Sequence, residues 1–339
     1  MARKLTAACI FSGCGSAAIG AREASFKVSY LIDPRPFIVE KTWHENFPGT
    51  KFSRSLEDFR KTKVDCLIAS PPCSRYSLLN RTLTRKQIYS IDPLSIEYTH
   101  FLNEVNIRQP SFFCAENLPR LRTFLLFSQN PNDNTFYVNF FDEDKNQMMT
   151  KPVLSLPGYN IYQYVLDSVD FGLPQRRLRL FVVGVKHGFV WAWKPPTLQK
   201  PEWLNTTLRS IPNNAPNHKK EWLPLSEVAL WKKLKYGEKS PQKSRKMAPK
   251  EPMKTIVGAS LQHYHYLEPR YLTARECAAV QGFPMDFIFY GSTRAQLNQI
   301  GKAISVPIIT SLAKQIKISI ETREQMLLLD GMLNDATTK

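Results

Sequence analysis

The fold is decided by residues 6–16, which read TAACIFSGCGS. Small and β-branched apolar residues at 6–11 predict a strand. The glycines after it predict a tight turn, because glycine adopts backbone angles that other residues avoid. Residues 17–24 are then typical of a helix. A strand, a glycine turn and a helix in this order predict the first unit of an α/β sheet.

The same alternation of short apolar runs and longer mixed segments continues to about residue 130. Predicted strands at residues 28–32, 64–70 and 111–115 are followed by Asp33, Cys73 and Glu116, and residues 96–108 predict a helix. This rhythm predicts the α/β class, with a Rossmann-like, mostly parallel sheet and helices on both faces. Ligands of such sheets bind beyond the carboxyl ends of the strands. We therefore expect these side chains and the glycine turn to converge on one crevice.

Beyond about residue 130, the sequence predicts further strands and helices and two segments of distinct composition. Residues 130–151 are polar and predict an exposed insertion, and residues 195–250 are rich in proline and lysine with weak periodicity. Thr273 and Glu276 have the spacing of a capping box, which predicts the start of a helix. The remaining predicted elements are strands at residues 162–169 and 178–185 and helices at residues 273–281 and 306–321.

The net charge of +17 is concentrated in one part of the 339-residue chain. Residues 186–254 hold 15 Lys and Arg against 5 Asp and Glu. Clustered cations release counterions from nucleic-acid phosphates, so we interpret this segment as a polyanion-binding subdomain rather than a solvated basic face. Interleaved aromatic residues favour the same interpretation; they are Phe189, Trp191, Trp193, Trp203, Trp222, Trp231 and Tyr236.

The six cysteines indicate a reducing compartment. They form no Cys-x-x-Cys pair, so we expect neither a disulfide framework nor a zinc site. His263 and His265 lack ligand partners at metal spacing, and we interpret them as loop or base-facing residues. No apolar run approaches the ~18 residues of a membrane helix, and the N-terminal stretch is too short for a signal peptide. We expect a protein of the bacterial or viral-host cytoplasm or the nucleoid, without metal or membrane.

Six short motifs, in order along nearly the whole chain, resemble those of cytosine-5 DNA methyltransferases. Each motif alone is weak evidence. Six in sequence, with a basic variable segment between the fourth and the fifth, are specific. The motifs are FSGCG at 11–15, PPC at 71–73, ENL at 116–118, QRRLR at 175–179, RYLTARE at 270–276 with QGFP at 281–284, and GKA at 301–303.

The resemblance implies four catalytic residues. Carbon 5 of cytosine is a poor nucleophile, and addition of the Cys73 thiolate to carbon 6 would turn the ring into an enamine-like nucleophile. Glu116 would protonate N3, Arg179 would hold the base and Arg177 would orient the site. The two arginines alternate along a predicted strand, so they face the same side. Because the target atom is stacked inside a duplex, the base must flip out, and residues 74–92 would close over it.

The resemblance also implies a pocket for S-adenosylmethionine around the glycine turn, closed by residues 301–303 from the far end of the chain. We predict a monomer that acts on double-stranded DNA. Residues 1–185 would form the catalytic and cofactor-binding domain, residues 186–268 a small basic target-recognition domain, and residues 269–339 a return to the catalytic domain. The predicted cofactor residues are Phe11, Ser12, Gly13, Gly15, Asp33, Asp58, Pro71, Gly301, Lys302 and Ala303.

Three positions in the cofactor motifs depart from the family pattern. Cys9 and Leu31 stand where acids are usual, and Lys302 stands where asparagine is usual. These changes would repel a sulfonium, whereas a cofactor with an added carboxylate would pair with Lys302. One hypothesis is therefore carboxymethyl transfer from carboxy-S-adenosylmethionine to cytosine. The alternative is that Lys302 extends into solvent and Asp33 replaces the missing acid.

Two other functions are compatible with the motifs. Some relatives with this core act on tRNA, so a tRNA cytosine is a second candidate substrate. The basic segment favours duplex DNA, since base-specific readout of a duplex needs an added domain. A non-catalytic DNA-binding relative would explain the lost acids, but the intact catalytic motifs argue against it.

Overall fold

A seven-stranded, mostly parallel sheet forms the centre of this computed structural model. The strands of the molecule are β1 (Thr6–Ile10), β2 (Lys27–Ile32), β3 (Lys51–Ser53), β4 (Cys66–Ala69), β5 (Phe112–Asn117), β6 (Leu125–Phe127), β7 (Thr135–Asp142), β8 (Gln147–Ser155), β9 (Tyr159–Asp167), β10 (Gln175–Arg176), β11 (Leu178–Lys186), β12 (Arg245–Lys246), β13 (Met253–Lys254) and β14 (His263–Tyr264). The central order is β3-β2-β1-β4-β5-β11-β9. Neighbours from β3 to β5 pair in parallel, whereas β11 is antiparallel to β5 and β9. The strand order reverses between the neighbouring strands β1 and β4, because β2 and β3 follow on one side and β5 on the other. In such sheets a crevice opens at the carboxyl ends of these two strands.

The helices of the described chain lie on both faces of this sheet and in a small separate core around Trp231. They are α1 (Ser16–Glu23), α2 (Ile38–Asn46), α3 (Glu97–Arg108), α4 (Leu204–Arg209), α5 (Leu225–Lys233), α6 (Ala274–Val280), α7 (Thr293–Lys302) and α8 (Val306–Thr337). Ala7 and Cys9 of β1 belong to a core with α1, α6, α7 and α8, while Ala8 and Ile10 belong to a second core with α3. Successive strand residues point to opposite faces, so one strand serves both cores. The predicted fold class is confirmed.

The structure describes residues 3–34, 38–59, 62–72, 97–123, 125–127, 134–142, 144–196, 202–241, 244–258 and 263–337. The predicted nucleophile Cys73 and the predicted closing loop, residues 74–92, lie outside these ranges. Within them, no single helix has both the length and the apolar composition to cross a membrane. The bent pair formed by Thr293–Lys302 and Val306–Asp330 meets that criterion jointly.

Most predicted elements are confirmed with small shifts at their ends. The capping box is present, because the Thr273 side chain accepts from the Glu276 amide and the Glu276 carboxylate accepts from the Thr273 amide. The predicted exposed insertion at residues 130–151 has regular structure in its described part, where β7 and β8 pair in a three-stranded antiparallel sheet with β6. Buried Phe136 and Val138 alternate along β7, a strand pattern that the flanking Asp and Asn residues obscure. The helices α2, α4, α5 and α7 and the short strands β3, β6, β10, β12, β13 and β14 were not predicted, and α8 continues to Thr337, well beyond its predicted end at residue 321.

Gly184 provides a test of how β5 and β11 pack. It lies opposite Phe113, and a Cβ at this position would overlap the phenyl ring. Gly184→Ala should lower the free energy of unfolding by about 1–3 kcal/mol, measured by urea denaturation. Combined with Phe113→Leu, the cost should be less than the sum of the two single effects, because leucine leaves room. A Gly184→Ala variant as stable as the wild type would contradict this packing.

Candidate active site

A carboxylate, a guanidinium and a hydroxyl meet at the carboxyl end of β5. Glu116 is buried, and its Oε1 lies 3.0 Å from Nε of Arg179. Ser70, directly after β4, donates from Oγ to the other carboxylate oxygen at 2.7 Å. Because β4 is parallel to β5 and β11 is antiparallel to it, the ends of the first two and the start of the third share one edge. This edge therefore holds one ionisable acid between a cation and a hydroxyl.

The turn that leads to Cys73 is tied to the same edge. Asn117 donates from Nδ2 to the Pro71 carbonyl at 3.2 Å, and its Oδ1 accepts from the Leu118 amide at 2.8 Å. The Ser70 hydroxyl, one residue earlier, is bonded to Glu116. The two residues that lead to the predicted nucleophile, Ser70 and Pro71, are thus hydrogen-bonded to Glu116 and Asn117. The position of Cys73 itself stays a prediction.

Arg177 and Arg179 contact different parts of the molecule. Arg177 lies between β10 and β11 and is 2% exposed. Its guanidinium donates to the carbonyls of Ile256 at 3.1 Å, Gly301 at 3.1 Å and Ala303 at 2.8 Å. Arg177 therefore joins residue 256 of the basic segment (residues 186–268) to residues 301–303 of the return segment (residues 269–339). Of the two arginines, Arg179 is the one that contacts the candidate acid.

Two buried glutamines, to which the sequence analysis gave no role, support this junction. Gln175 donates to the side-chain oxygen of Gln281, and Gln281 donates to the Ala303 carbonyl at 2.8 Å. The Ile256 amide donates to Gln175 Oε1 at 2.8 Å. Both glutamines belong to motifs quoted above, QRRLR and QGFP, so their positions could be singled out from the sequence. The sequence did not indicate that these two motifs are in contact in the folded protein.

The glycine turn after β1 is held on both sides. The Gly13 amide donates to Asp33 Oδ2 at 2.8 Å, and Trp43 Nε1 donates to the Gly13 carbonyl at 2.8 Å. Ser12 Oγ donates to the Ile32 carbonyl at 2.9 Å. Gly13 has a φ of 54°, in the region that favours glycine, so the turn needs this residue type. Trp43, on the unpredicted helix α2, is a contributor that sequence reasoning missed.

The two predicted cofactor carboxylates have different surroundings. Asp33 is 0% exposed and accepts from the Gly13 amide, so it stabilises the glycine turn from the protein interior. Asp58, in the short 3₁₀ helix Glu57–Phe59, is exposed and accepts from Ser53 Oγ at 2.6 Å. Of the two carboxylates, Asp58 is therefore the one accessible from solvent.

Residues 301–303 return to the glycine turn from the end of α7. Gly301 packs on the backbone of residues 257 and 258, where a Cβ would overlap Gly258. The Ile304 amide donates to Ser16 Oγ at 3.0 Å, at the start of α1. Lys302 is exposed in the last turn of α7. The two predicted cofactor motifs, which lie at opposite ends of the sequence, are neighbours in the structure.

The basic segment contributes to two cores. One set of its residues packs in the main core; it includes Trp193, Leu204, Leu208, Met253 and Ile256. A second set forms a small core of its own, with Leu223, Trp231, Leu234 and Tyr264. The segment is therefore anchored to the sheet at both of its ends and independent only in the middle.

The aromatic residues of this segment only partly support the nucleic-acid interpretation. Four of the seven are packed against other protein groups: Phe189, Trp191, Trp193 and Trp231. The other three are more than half exposed; they are Trp203, Trp222 and Tyr236. The described cations are mostly on the surface, and the exposed ones are Lys194, Arg209, Lys219, Lys232, Lys233, Lys235, Lys239, Lys250 and Lys254.

His263 and His265 are both buried; the loop interpretation is wrong for His263, whereas His265 lies in the loop after β14. They are 9% and 6% exposed, and His263 lies in β14. Burial lowers the pKa of each to about 4, because desolvation disfavours the imidazolium form. The described part of the chain holds no group of three or more side chains able to bind a metal.

These histidines predict a pH dependence of stability. The unfolded chain takes up protons near pH 6.5, whereas the folded histidines do so only near pH 4. Between these values the unfolded state binds more protons, so the free energy of unfolding should fall as the pH falls. Urea denaturation over this range should show a shallower fall for His263→Leu. The exposed His187→Leu should behave like the wild type, and equal slopes for all three proteins would refute the prediction.

Comparison with known proteins places the chain in a family. The pattern of C-5 cytosine-specific DNA methylases matches residues 6–318. The type II methyltransferase M1.HphI of Haemophilus parahaemolyticus is 25% identical over 347 residues, which cover 93% of this chain and 87% of that protein. M.MthTI of Methanothermobacter thermautotrophicus, also a type II methyltransferase, is 26% identical over 347 residues, with 93% and 97% covered. The solved structure of the Entamoeba histolytica methyltransferase EhMeth has a TM-score of 0.64 at 16% identity, covering 93% of this chain and 98% of its own.

The fold and these matches define a methyltransferase. More narrowly, the chain belongs to the C-5 cytosine-specific DNA methylase family, whose pattern spans most of its length. It is an enzyme of the DNA cytosine-5 methyltransferase type, and the family that the six motifs predicted is confirmed.

Proposed function

We propose that this enzyme transfers a methyl group from S-adenosylmethionine to carbon 5 of a flipped-out cytosine in double-stranded DNA, through a covalent bond from Cys73. The observation that carries the proposal is the Glu116 carboxylate, buried beside Arg179 and Ser70 at the carboxyl edge of the sheet. An acid and a cation side by side suit a cytosine, because its N3 and O2 belong to neighbouring ring positions.

The glycine turn fits the proposed cofactor. A Cβ built on Gly13 would meet no atom within 4 Å, so the turn borders open space at the carboxyl end of β1. The exposed carboxylate of Asp58 suits an adenine amino group, and Phe11, at the end of β1, suits the adenine ring. When bound, S-adenosylmethionine supplies an electrophilic methyl group. Asp33 and Trp43 hold the turn in shape for that ligand.

Glu116 and Arg179 act on the pyrimidine ring. Arg179 donates to O2 of the cytosine, and Glu116 donates a proton to N3. Attack at carbon 6 builds negative charge at N3, so a donor placed there lowers the barrier. Ser70 bonds to one carboxyl oxygen and thereby helps to fix the orientation of the carboxyl group, which makes it a positioning residue.

Elimination, as well as the motif, favours Cys73 as the nucleophile. The other five cysteines are buried. Burial raises the pKa of Cys9 to about 12 and also raises the pKa of Cys114 and Cys277, so these thiols stay protonated and inert. The Cys73 thiolate would bond to carbon 6. Once carbon 5 has gained the methyl group, loss of its proton and departure of the thiolate restore the aromatic ring.

The basic segment supports duplex DNA over tRNA as the substrate. Exposed Lys232, Lys233 and Lys235 adjoin Trp231 of the small core, which places cations outside the catalytic sheet. We assign target recognition to residues 186–268 and place the enzyme in a restriction-modification setting, because the relatives named above are type II methyltransferases.

The proposal predicts a product and a loss-of-function variant. With S-adenosylmethionine carrying a labelled methyl group, duplex DNA should yield labelled 5-methylcytosine on nucleoside mass spectrometry, at a higher rate than tRNA. Glu116→Gln should lower the turnover rate by roughly 10²–10⁴-fold, since glutamine cannot donate an acidic proton. Its affinity for the cofactor should be unchanged.

The matched control is Glu202→Gln, which removes an exposed carboxylate of the basic segment. It should keep full activity. Label in tRNA alone would overturn the choice of substrate, and full activity of Glu116→Gln would overturn the assigned acid.

Carboxymethyl transfer is a second candidate, favoured by the surroundings of the cofactor turn. Cys9 and Leu31, which replace the usual acids, are both fully buried, so neither presents charge to a cofactor. Lys302 is exposed one residue after Gly301, on the segment that returns to the glycine turn. A carboxylate on the transferred carbon would pair with this ammonium group.

Lys302→Asn distinguishes the two donors. If Lys302 selects the carboxylated cofactor, the variant should shift the ratio of 5-carboxymethylcytosine to 5-methylcytosine towards methylation when both cofactors are supplied at equal concentration. An unchanged ratio would dismiss carboxymethyl transfer and leave methyl transfer standing.

A further inference from the structure

Two cations are paired across the short parallel ladder of β10 and β13. Arg176 is the register partner of Lys254, and Gln175 is the register partner of Met253. Gln175 and Met253 are buried, while Arg176 and Lys254 are both exposed. Because side chains alternate between faces along a strand, both cations stand on the same outer face.

This pairing is unfavourable for the protein alone. Like charges directly opposite each other on neighbouring strands destabilise a sheet. Asp167 offers partial compensation, with Oδ2 at 3.8 Å from Arg176 Nη1. Its Oδ1 already accepts from the Arg177 amide at 2.7 Å. In the part of the chain that the structure describes, one carboxylate therefore stands near two cationic side chains.

The pair is close in the chain to the candidate active site. Leu180 is the residue of β11 that pairs with Asn117, the last residue of β5. Leu178 and Arg179, the first residues of β11, therefore lie beyond the carboxyl end of β5, and Arg176 precedes them by two residues. A nucleic acid that brings a base to Glu116 and Arg179 therefore comes close to Arg176.

The support beneath the pair is rigid. Thr255 Oγ1 donates to the Arg176 carbonyl at 2.8 Å, which fixes the register of the two strands. The buried side chain of Gln175 accepts from the Ile256 amide, and Arg177 donates to the Ile256 carbonyl. These bonds hold the two cations in place without using either charged group.

We propose that Arg176 and Lys254 form a binding site for one phosphate of the DNA backbone beside the flipped cytosine. The proposal rests on the proposed function, and it assigns the pair a positioning role without base recognition. A bridging phosphate carries the negative charge that the pair lacks, and guanidinium and ammonium groups are the donors most used for phosphate. Contacts to phosphate position a duplex but do not specify its sequence.

The test is the salt dependence of DNA binding by the full-length enzyme. The double variant Arg176→Gln/Lys254→Gln and the wild type are titrated into a labelled duplex of mixed sequence over a series of NaCl concentrations. The slope of log Kd against log salt should become shallower by about 1, since the lost contact to one bridging phosphate contributes roughly 0.9. Affinity should fall by a similar factor for different duplex sequences, and affinity for S-adenosylmethionine should be unchanged.

The matched control is Lys4→Gln/Lys27→Gln. It makes the same change in net charge at the amino ends of β1 and β2, the opposite edge of the sheet, where both lysines are exposed. It should retain the wild-type slope. Thermal unfolding without DNA should show the Arg176→Gln/Lys254→Gln variant at least as stable as the wild type, because the like-charge contact is relieved.

The outcomes separate this inference from the proposed function. A wild type that does not bind duplex DNA at low salt would overturn the choice of DNA as substrate. A wild type that binds, with an unchanged slope in the Arg176→Gln/Lys254→Gln variant or an equal change in the control, would overturn the phosphate site alone. A loss of affinity confined to particular sequences would also overturn it, since that pattern belongs to base recognition.

Discussion

The buried contact between Glu116 and Arg179 constrains the candidate site more than any other interaction. It exists because one strand, β11, enters an otherwise parallel array in the opposite direction, which brings its first residues to the edge where β4 and β5 end. A buried ion pair is weak evidence for stability, because desolvation offsets much of the attraction. Its value here is positional: Arg179, Ser70 and the Glu116 carboxylate are fixed relative to one another before any substrate arrives.

A second constraint joins the ends of the chain around that site. Arg177 donates to carbonyls from the end of the basic segment and from the return segment, and Gln281 reinforces the same point. Neither of these side chains carries out chemistry in our account. They hold the segment before β11, residue 256 of the basic segment and residues 301–303 beside the glycine turn in a single arrangement.

The sequence predicted the first strand, its glycine turn and the acid at the end of β5, because strand periodicity and turn residues are local signals. It did not predict helix α2, whose short and mixed sequence gives little periodicity, and so it missed Trp43 behind the turn. It did not show that His263 and His265 are buried, since a histidine looks alike in sequence whether buried or exposed. The like-charge pair of Arg176 with Lys254 could not be found either. Strand register between distant segments is a tertiary property.

The central claim is that a thiolate at Cys73 adds to a cytosine ring held by Glu116 and Arg179. A duplex with 5-fluorocytosine at target positions tests it directly, because fluorine at carbon 5 cannot leave as a proton and the adduct persists. With S-adenosylmethionine present, the account predicts a stable protein–DNA conjugate, mapped by peptide mass spectrometry to Cys73 and absent from Cys73→Ser. Folded enzyme that binds both the duplex and the cofactor yet forms no conjugate, or a conjugate at another residue, would contradict it.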